Sequence, residues 1–158
     1  MANRLLTILA AACAFAAASP AGAADLRPAP APVVVQPALV PACDDPRVLA
    51  QIEDQFEYGA PRVERQALQV QQFAGLFERA YFPKGGNRKV ERRYCQGQAL
   101  IGGGMLLDSK MGTPYTTVYY VIEHPMGFAS IGWRAEGCFL GYDRWKVYGA
   151  NCQSLRRF

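Results

Sequence analysis

The sequence predicts an α+β domain, with an N-terminal helix packed on a twisted antiparallel β-meander and the whole stapled by disulfides. Three observations lead there. Apolar residues after Asp45-Pro46 recur at helical spacing. From Arg92 onward the chain alternates as strands do, rich in β-branched and aromatic residues between glycine clusters. Cys43, Cys95, Cys138 and Cys152 span that same stretch in an even number, which suits pairing rather than free thiols.

The domain is preceded by two segments that do not look folded. Met1-Ala2-Asn3-Arg4 is a basic start, and an apolar run follows from Leu5 to Ala18. Ser19-Pro20-Ala21-Gly22-Ala23 then offers a small-residue cleavage site, so residues 1–23 read as a signal peptide and the mature chain as exported, periplasmic or secreted. The run is short for a span of about 20 residues, and nothing later is longer without a charge or turn, so no transmembrane segment is expected after cleavage. Lipidation at Cys13 is disfavoured, because Ala10-Ala11-Ala12 precede it and the apolar run continues past it. Residues 24–42 read as a Pro/Ala-rich disordered linker, carrying Pro28, Pro30, Pro32, Pro37 and Pro41. Proline fixes φ and removes donors, so such a stretch is an extended tether.

The folded domain is assigned to residues 43–158. Asp45 is an N-cap with proline at the first helical position, and Val48, Leu49, Ile52 and Phe56 share a face. Gly59 and Pro61 are expected to end this helix. Residues 62–82 support two readings. Val63, Ala67, Val70, Ala74, Phe77 and Tyr81 make a helical stripe, whereas Leu68-Gln69-Val70-Gln71 alternates, which places a strand near 66–73. Arg92–Leu100 is a strand closed by Gly102-Gly103-Gly104, with Met105–Leu107 a short continuation into a turn over 108–112. Tyr115–Glu123 is the clearest strand; Thr116, Val118, Tyr120 and Ile122 face one way, and Thr117, Tyr119 and Val121 the other. With both faces apolar or aromatic it should be central and covered twice. His124-Pro125-Met126-Gly127 turns the chain, and Phe128–Phe139 returns it antiparallel, with Gly132 and Gly137 marking bends or bulges.

Arg93-Tyr94-Cys95, Val118-Tyr119-Tyr120-Val121-Ile122-Glu123, Gly127-Phe128, Gly132-Trp133, Glu136-Gly137-Cys138, Gly141-Tyr142-Asp143-Arg144 and Cys152 resemble, in their order, an uncharacterised family of small exported, four-cysteine alphaproteobacterial proteins. The resemblance spans roughly Cys43 to Cys152. It implies an envelope location and the four-cysteine framework, and brings no activity or ligand with it.

Short loops close more readily, which favours Cys138 with Cys152 and Cys43 with Cys95. Cys43 with Cys152 and Cys95 with Cys138 is the competing scheme. A metal site needs closer ligand spacing than these cysteines have, and His124 is the only histidine, so no metal and no cofactor are expected.

Chemistry has few candidates. His124 with Glu123 lacks a matching nucleophile: Ser109 and Ser154 stand alone, and Ser130 in Phe128-Ala129-Ser130-Ile131-Gly132 lacks the first glycine of a nucleophile elbow. Glu123, Glu136 and Asp143 could supply a carboxylate pair for glycoside hydrolysis. Their plain alternative is structural, Asp143 with Arg144 or Arg134, and Glu136 with a neighbouring base. Gly97-Gln98-Ala99-Leu100-Ile101-Gly102 lacks the lysine of a phosphate loop. No catalytic residue is assigned.

Two sets suit binding. Lys84, Arg88, Lys89, Arg92 and Arg93 form a basic cluster opposed only by Glu91, and could meet an envelope protein, an anionic lipid or a glycan. Tyr142 and Trp145, with Tyr115, Tyr119, Trp133 and Tyr148, offer aromatic faces for a sugar ring or a protein. A net charge of +4 is too mild to imply nucleic acid. The expected function is a non-enzymatic, envelope-associated binding or accessory protein; a glycan-binding or glycan-active domain, or a small periplasmic inhibitor, are the alternatives.

Overall fold

The computed structural model describes residues 37–103, 115–156 and 158. The expected signal peptide, most of the linker, the short continuation over 105–107 and the turn over 108–112 lie outside the described residues. One helix, α1 (Pro46–Val63), packs on a sheet of four antiparallel strands in the order β1 (Leu68–Phe82), β2 (Glu91–Gly103), β3 (Tyr115–His124) and β4 (Arg134–Phe139). This is the α+β meander expected from the sequence.

α1 begins where its cap dictates. Asp45 is extended (φ −61°, ψ 123°), its carboxylate accepts the Arg47 N–H at 2.9 Å, and Pro46 occupies the first turn where no donor is needed. Val48, Ile52, Phe56 and Ala60 then recur every four residues and are buried against the sheet. The helix does not stop at Gly59 or Pro61 but runs to Val63. Pro61 forfeits only its own donor, while Ala60 stays buried and its carbonyl accepts the Glu64 N–H at 2.8 Å. The terminator is Arg65, with φ 59°, a left-handed position where glycine is usual.

β1 is longer than the strand expected near 66–73. It pairs with β2 through three register shifts, between Val70 and Gln72, Ala74 and Phe77, and Glu78 and Ala80. Each bulge adds a residue, so the side chains facing the helix are Leu68, Val70, Phe73, Leu76 and Tyr81. Steps of three replace steps of two, and a bulged strand thereby imitates helical periodicity. Gly75 (φ 58°) sits in the middle bulge. The bulges also disrupt an exposed edge that could template a further strand.

β3 is central, as its two apolar faces require. Val118, Tyr120 and Ile122 are fully buried beneath α1, and the Tyr120 hydroxyl donates to the Cys43 carbonyl at 2.8 Å. On the reverse face Val121 packs with Tyr94, Cys138, Cys152 and Leu155 from the C-terminal segment.

The return strand is shorter than expected, Arg134–Phe139 instead of Phe128–Phe139. Residues 126–132 form a closed loop, because Ala129 (φ 53°), Ser130 (φ 62°) and Gly132 (φ 70°) are left-handed and cannot continue a ladder. Gly137 is not bulged; a Cβ there would lie 2.5 Å from Ile52 Cγ2, so its role is close helix–sheet approach. That approach lets two helix side chains serve the outer edge of β4. Gln51 Oε1 accepts the Ala135 N–H at 2.7 Å, and Gln55 Oε1 accepts the Gly137 N–H at 3.0 Å. Four residues of helix rise about 6 Å and two of strand about 6.6 Å, so the two glutamines match alternate edge donors.

Cys43–Cys95 (Cα–Cα 5.8 Å) fastens the segment before α1 to β2, and Cys138–Cys152 (5.7 Å) fastens the C-terminal segment to β4. The linker, expected to run to residue 42, gives way earlier, because residues ahead of Cys43 already pack on the domain. Val40 is buried, and the buried Glu91 carboxylate accepts the Leu39 N–H (2.8 Å), the Val40 N–H (3.1 Å) and the Tyr81 hydroxyl (2.9 Å).

Candidate binding surface

The carboxylates considered for catalysis are engaged in structural contacts. Glu123 accepts from Arg92 across the β2–β3 ladder, which turns it away from orienting His124. Glu136 pairs with Arg134 at 3.3 Å, as the structural reading anticipated. Asp143 pairs with neither Arg144 nor Arg134; it accepts the Val147 and Tyr148 N–H groups at 2.9 and 3.1 Å and closes the turn after β4. Arg144 reaches Glu64 instead, at 3.6 Å. His124 ends β3 opposite Glu91, and its Nδ1 has no hydrogen-bond partner among the described residues. Ser130 is exposed in the loop, Ser154 donates to the Tyr148 carbonyl, and Ser109 lies outside the described residues. Among the described residues no group of three or more His, Cys, Asp or Glu side chains could hold a metal ion.

The basic cluster is divided by the pleat of β2. Arg93 faces the helix side, 3.1 Å from Glu78 and with its guanidinium 5.0 Å from the Tyr81 ring centre. Arg92 faces the other side, and its bond to Glu123 raises its already high pKa. The remaining three belong to the β1–β2 hairpin, whose tip closes through reciprocal Gly85–Arg88 backbone bonds of 3.1 and 2.9 Å around a left-handed Gly86. Arg88 lies 5.1 Å over the Phe82 ring and, with Lys89 and Arg92, lines a groove floored by Phe82, Tyr94 and Phe158. Lys84 borders a separate hollow with Leu39 and Tyr81. Among the described residues Lys84, Arg88 and Lys89 have no carboxylate within ion-pair distance.

Tyr142 and Trp145 lie elsewhere. Tyr142 packs edge-on against Phe56 at 5.8 Å, beyond the Phe139 end of β4 and on the helix side. It lines a small cleft with Gly59, Tyr148 and Asp143, while Trp145 is two-thirds exposed. Tyr148 receives the Gln55 amide at 2.7 Å, and its phenol pKa is pushed up by burial. The hairpin instead leaves the sheet at the Arg92–Glu123–Arg134 row. Basic and aromatic sets therefore do not make one surface.

What joins the hairpin at its end of the sheet is the β3–β4 loop, which extends the turn expected over residues 124–127 through residues 128–132, expected as strand. Phe128 is 97% exposed, Ile131 76% and Met126 43%. Met126 and Gly127 both donate to the Gly132 carbonyl, Ser130 donates to Gly127 and Ile131 to Phe128, closing the loop on itself. A Cβ on Gly127 would collide with the Ile131 carbonyl, so the backbone fills the loop interior and its apolar side chains are left outside. The signal was present in Gly127 and Gly132, glycines bracketing a stretch too short to alternate. Leu39, half exposed, approaches the same end through its bond to Glu91.

No protein-family model, curated protein or solved structure matches the chain. No helix among the described residues is long and apolar enough to cross a membrane.

Proposed function

We propose that this chain is an exported, envelope-associated binding protein that works without catalysis and engages its target through the loop end of the sheet. One contrast carries the reading: Glu123, Glu136 and Asp143 are committed to structural partners, whereas Lys84, Arg88 and Lys89 have no carboxylate partner among the described residues and stand beside an exposed apolar loop. Uncompensated charge and exposed apolar area together favour recognition of another surface. Two disulfides support an oxidising compartment, and the apolar run before Ala23 supports export as the route there.

Fractionation with acid-quenched thiol alkylation tests the compartment. The protein is expected in the envelope or medium with Cys43, Cys95, Cys138 and Cys152 all oxidised; a cytoplasmic pool with free thiols contradicts it. Incubation with purified peptidoglycan tests the absence of catalysis. Release of fragments, abolished in Glu123→Gln, Glu136→Gln or Asp143→Asn variants that remain folded, would replace this reading with a glycan-active one. The exposed Trp145 near the Tyr142 cleft favours glycan binding as the second reading, and loss of glycan retention in Trp145→Ala alone would support it.

A further inference from the structure

Resting on that reading, we infer that the target of the loop end is an anionic lipid surface, with the β3–β4 loop as an apolar wedge and the β1–β2 hairpin as its electrostatic anchor. The topology fixes the juxtaposition. β1–β2 and β3–β4 connections of a meander leave the same end of the sheet, and the Arg92–Glu123–Arg134 row lies directly beneath both. Phe128, Ile131 and Met126 project from one connection, and Lys84, Arg88 and Lys89 belong to the other.

Three features fit a lipid interface better than free solution. Phe128 and Ile131 are the two most exposed large hydrophobic residues of the described chain, only three positions apart. They are displayed by a backbone held in an unfavourable form. Ala129 and Ser130 are both left-handed without being glycine, and such positions cost about 1–2 kcal/mol each. Retained strain of this kind points to a role for the shape it maintains. The neighbouring carboxylates are also spent, since Glu91 is buried under three donors and Glu123 is bound to Arg92. The exposed Glu78 of β1 is held by Arg93 at 3.1 Å, so the end presents cations and apolar side chains with its nearest strand carboxylates engaged, the combination that draws an amphipathic surface to acidic head groups. Leu39, half exposed, lies beside the hairpin at this same end and adds to its apolar area.

The test is sedimentation of the oxidised full-length protein, as purified from cells, with vesicles. One set holds equal parts of phosphatidylglycerol and phosphatidylcholine, the other phosphatidylcholine alone. Binding to the first, weakened by salt and absent from the second, is the expected result. Phe128→Ser should lower partitioning roughly tenfold or more, and each charge removed by Lys84→Gln, Arg88→Gln or Lys89→Gln roughly fivefold. All four side chains are exposed, so folding should be unaffected. Phe128→Trp should gain quenching by brominated lipid beyond that of the native tryptophans. Folded protein that ignores anionic vesicles, or binds them equally well as Phe128→Ser, overturns the inference. If vesicles fail while a photocrosslinker at position 128 captures an envelope protein in cells, the lipid inference falls and the binding reading stands. If both fail, both fall.

Discussion

Replacing Gln55 tests how the helix and the edge of the sheet are joined. Its amide makes two bonds at once, accepting from the Gly137 backbone and donating to the Tyr148 hydroxyl. Gly137 is buried on the outer strand, and among the described residues no further strand pairs with its N–H. Gln55→Met keeps the volume and removes both bonds. An orphaned buried donor costs about 1–3 kcal/mol, and the half-buried Tyr148 hydroxyl adds about 1 kcal/mol, so a loss of about 2–4 kcal/mol is expected. In urea that moves the midpoint by about 1 M or more at unchanged slope. Gln55→Glu retains an acceptor for Gly137 and lets Tyr148 become the donor, so it should lose less than half as much. Equilibrium urea unfolding with the disulfides intact measures both. A methionine variant as stable as the wild type, or more stable than the glutamate variant, would refute the clamp.

The other expectations concern the staples, the helix contact and the helix start. Opening Cys138–Cys152 with paired serines should cost about 3 kcal/mol and opening Cys43–Cys95 about 4 kcal/mol by loop entropy, read from denaturant midpoints. Gly137→Ala drives a methyl into the fully buried Ile52 and should cost about 1–3 kcal/mol. In an Ile52→Ala background the space is open, so a double-mutant cycle should show that penalty largely gone; a penalty that persists would locate the strain elsewhere. The hydrogen bonds from Arg47, its side chain first, hold the Asp45 carboxyl at about 2, below the ordinary 3.8. A depressed folded-state pKa means its contribution is complete above the ordinary value and fades as pH falls through about 2. Thermal melts should therefore lose less stability on acidification in Asp45→Asn than in the wild type, and parallel losses would contradict the assignment.

The parts of the fold legible in the sequence are those where one local force acts alone. Asp45-Pro46 marks the helix start through its cap, and Tyr115–Glu123 reads as a central strand because both faces must be covered. Legibility fails where tertiary contact overrides a local signal. Pro61 and Gly59 look like terminators, yet burial of Ala60 carries the helix past them. Bulges in β1 convert a period of two into steps of three, and no local rule distinguishes that from a helix. The proposed binding surface was half visible. Charge density marked the hairpin, but the pleat that turns Arg93 inward emerges only with the register. Phe128 and Ile131 were hidden by their type, since apolar residues beside a strand are normally assigned to its core. Tyr142 met the opposite fate, its ring belonging to the packing around Phe56.

A position scan of photocrosslinkers in living cells addresses the central claim, that the loop end is the working surface. Probes at Lys89 and Phe128 sample that end, Asp54 and Tyr58 the exposed side of α1, and Trp145 the far turn. Crosslinks concentrated at 89 and 128, in protein recovered from the envelope, are the predicted result. Crosslinks centred on 145 or on the helix, with 89 and 128 silent, would contradict the account.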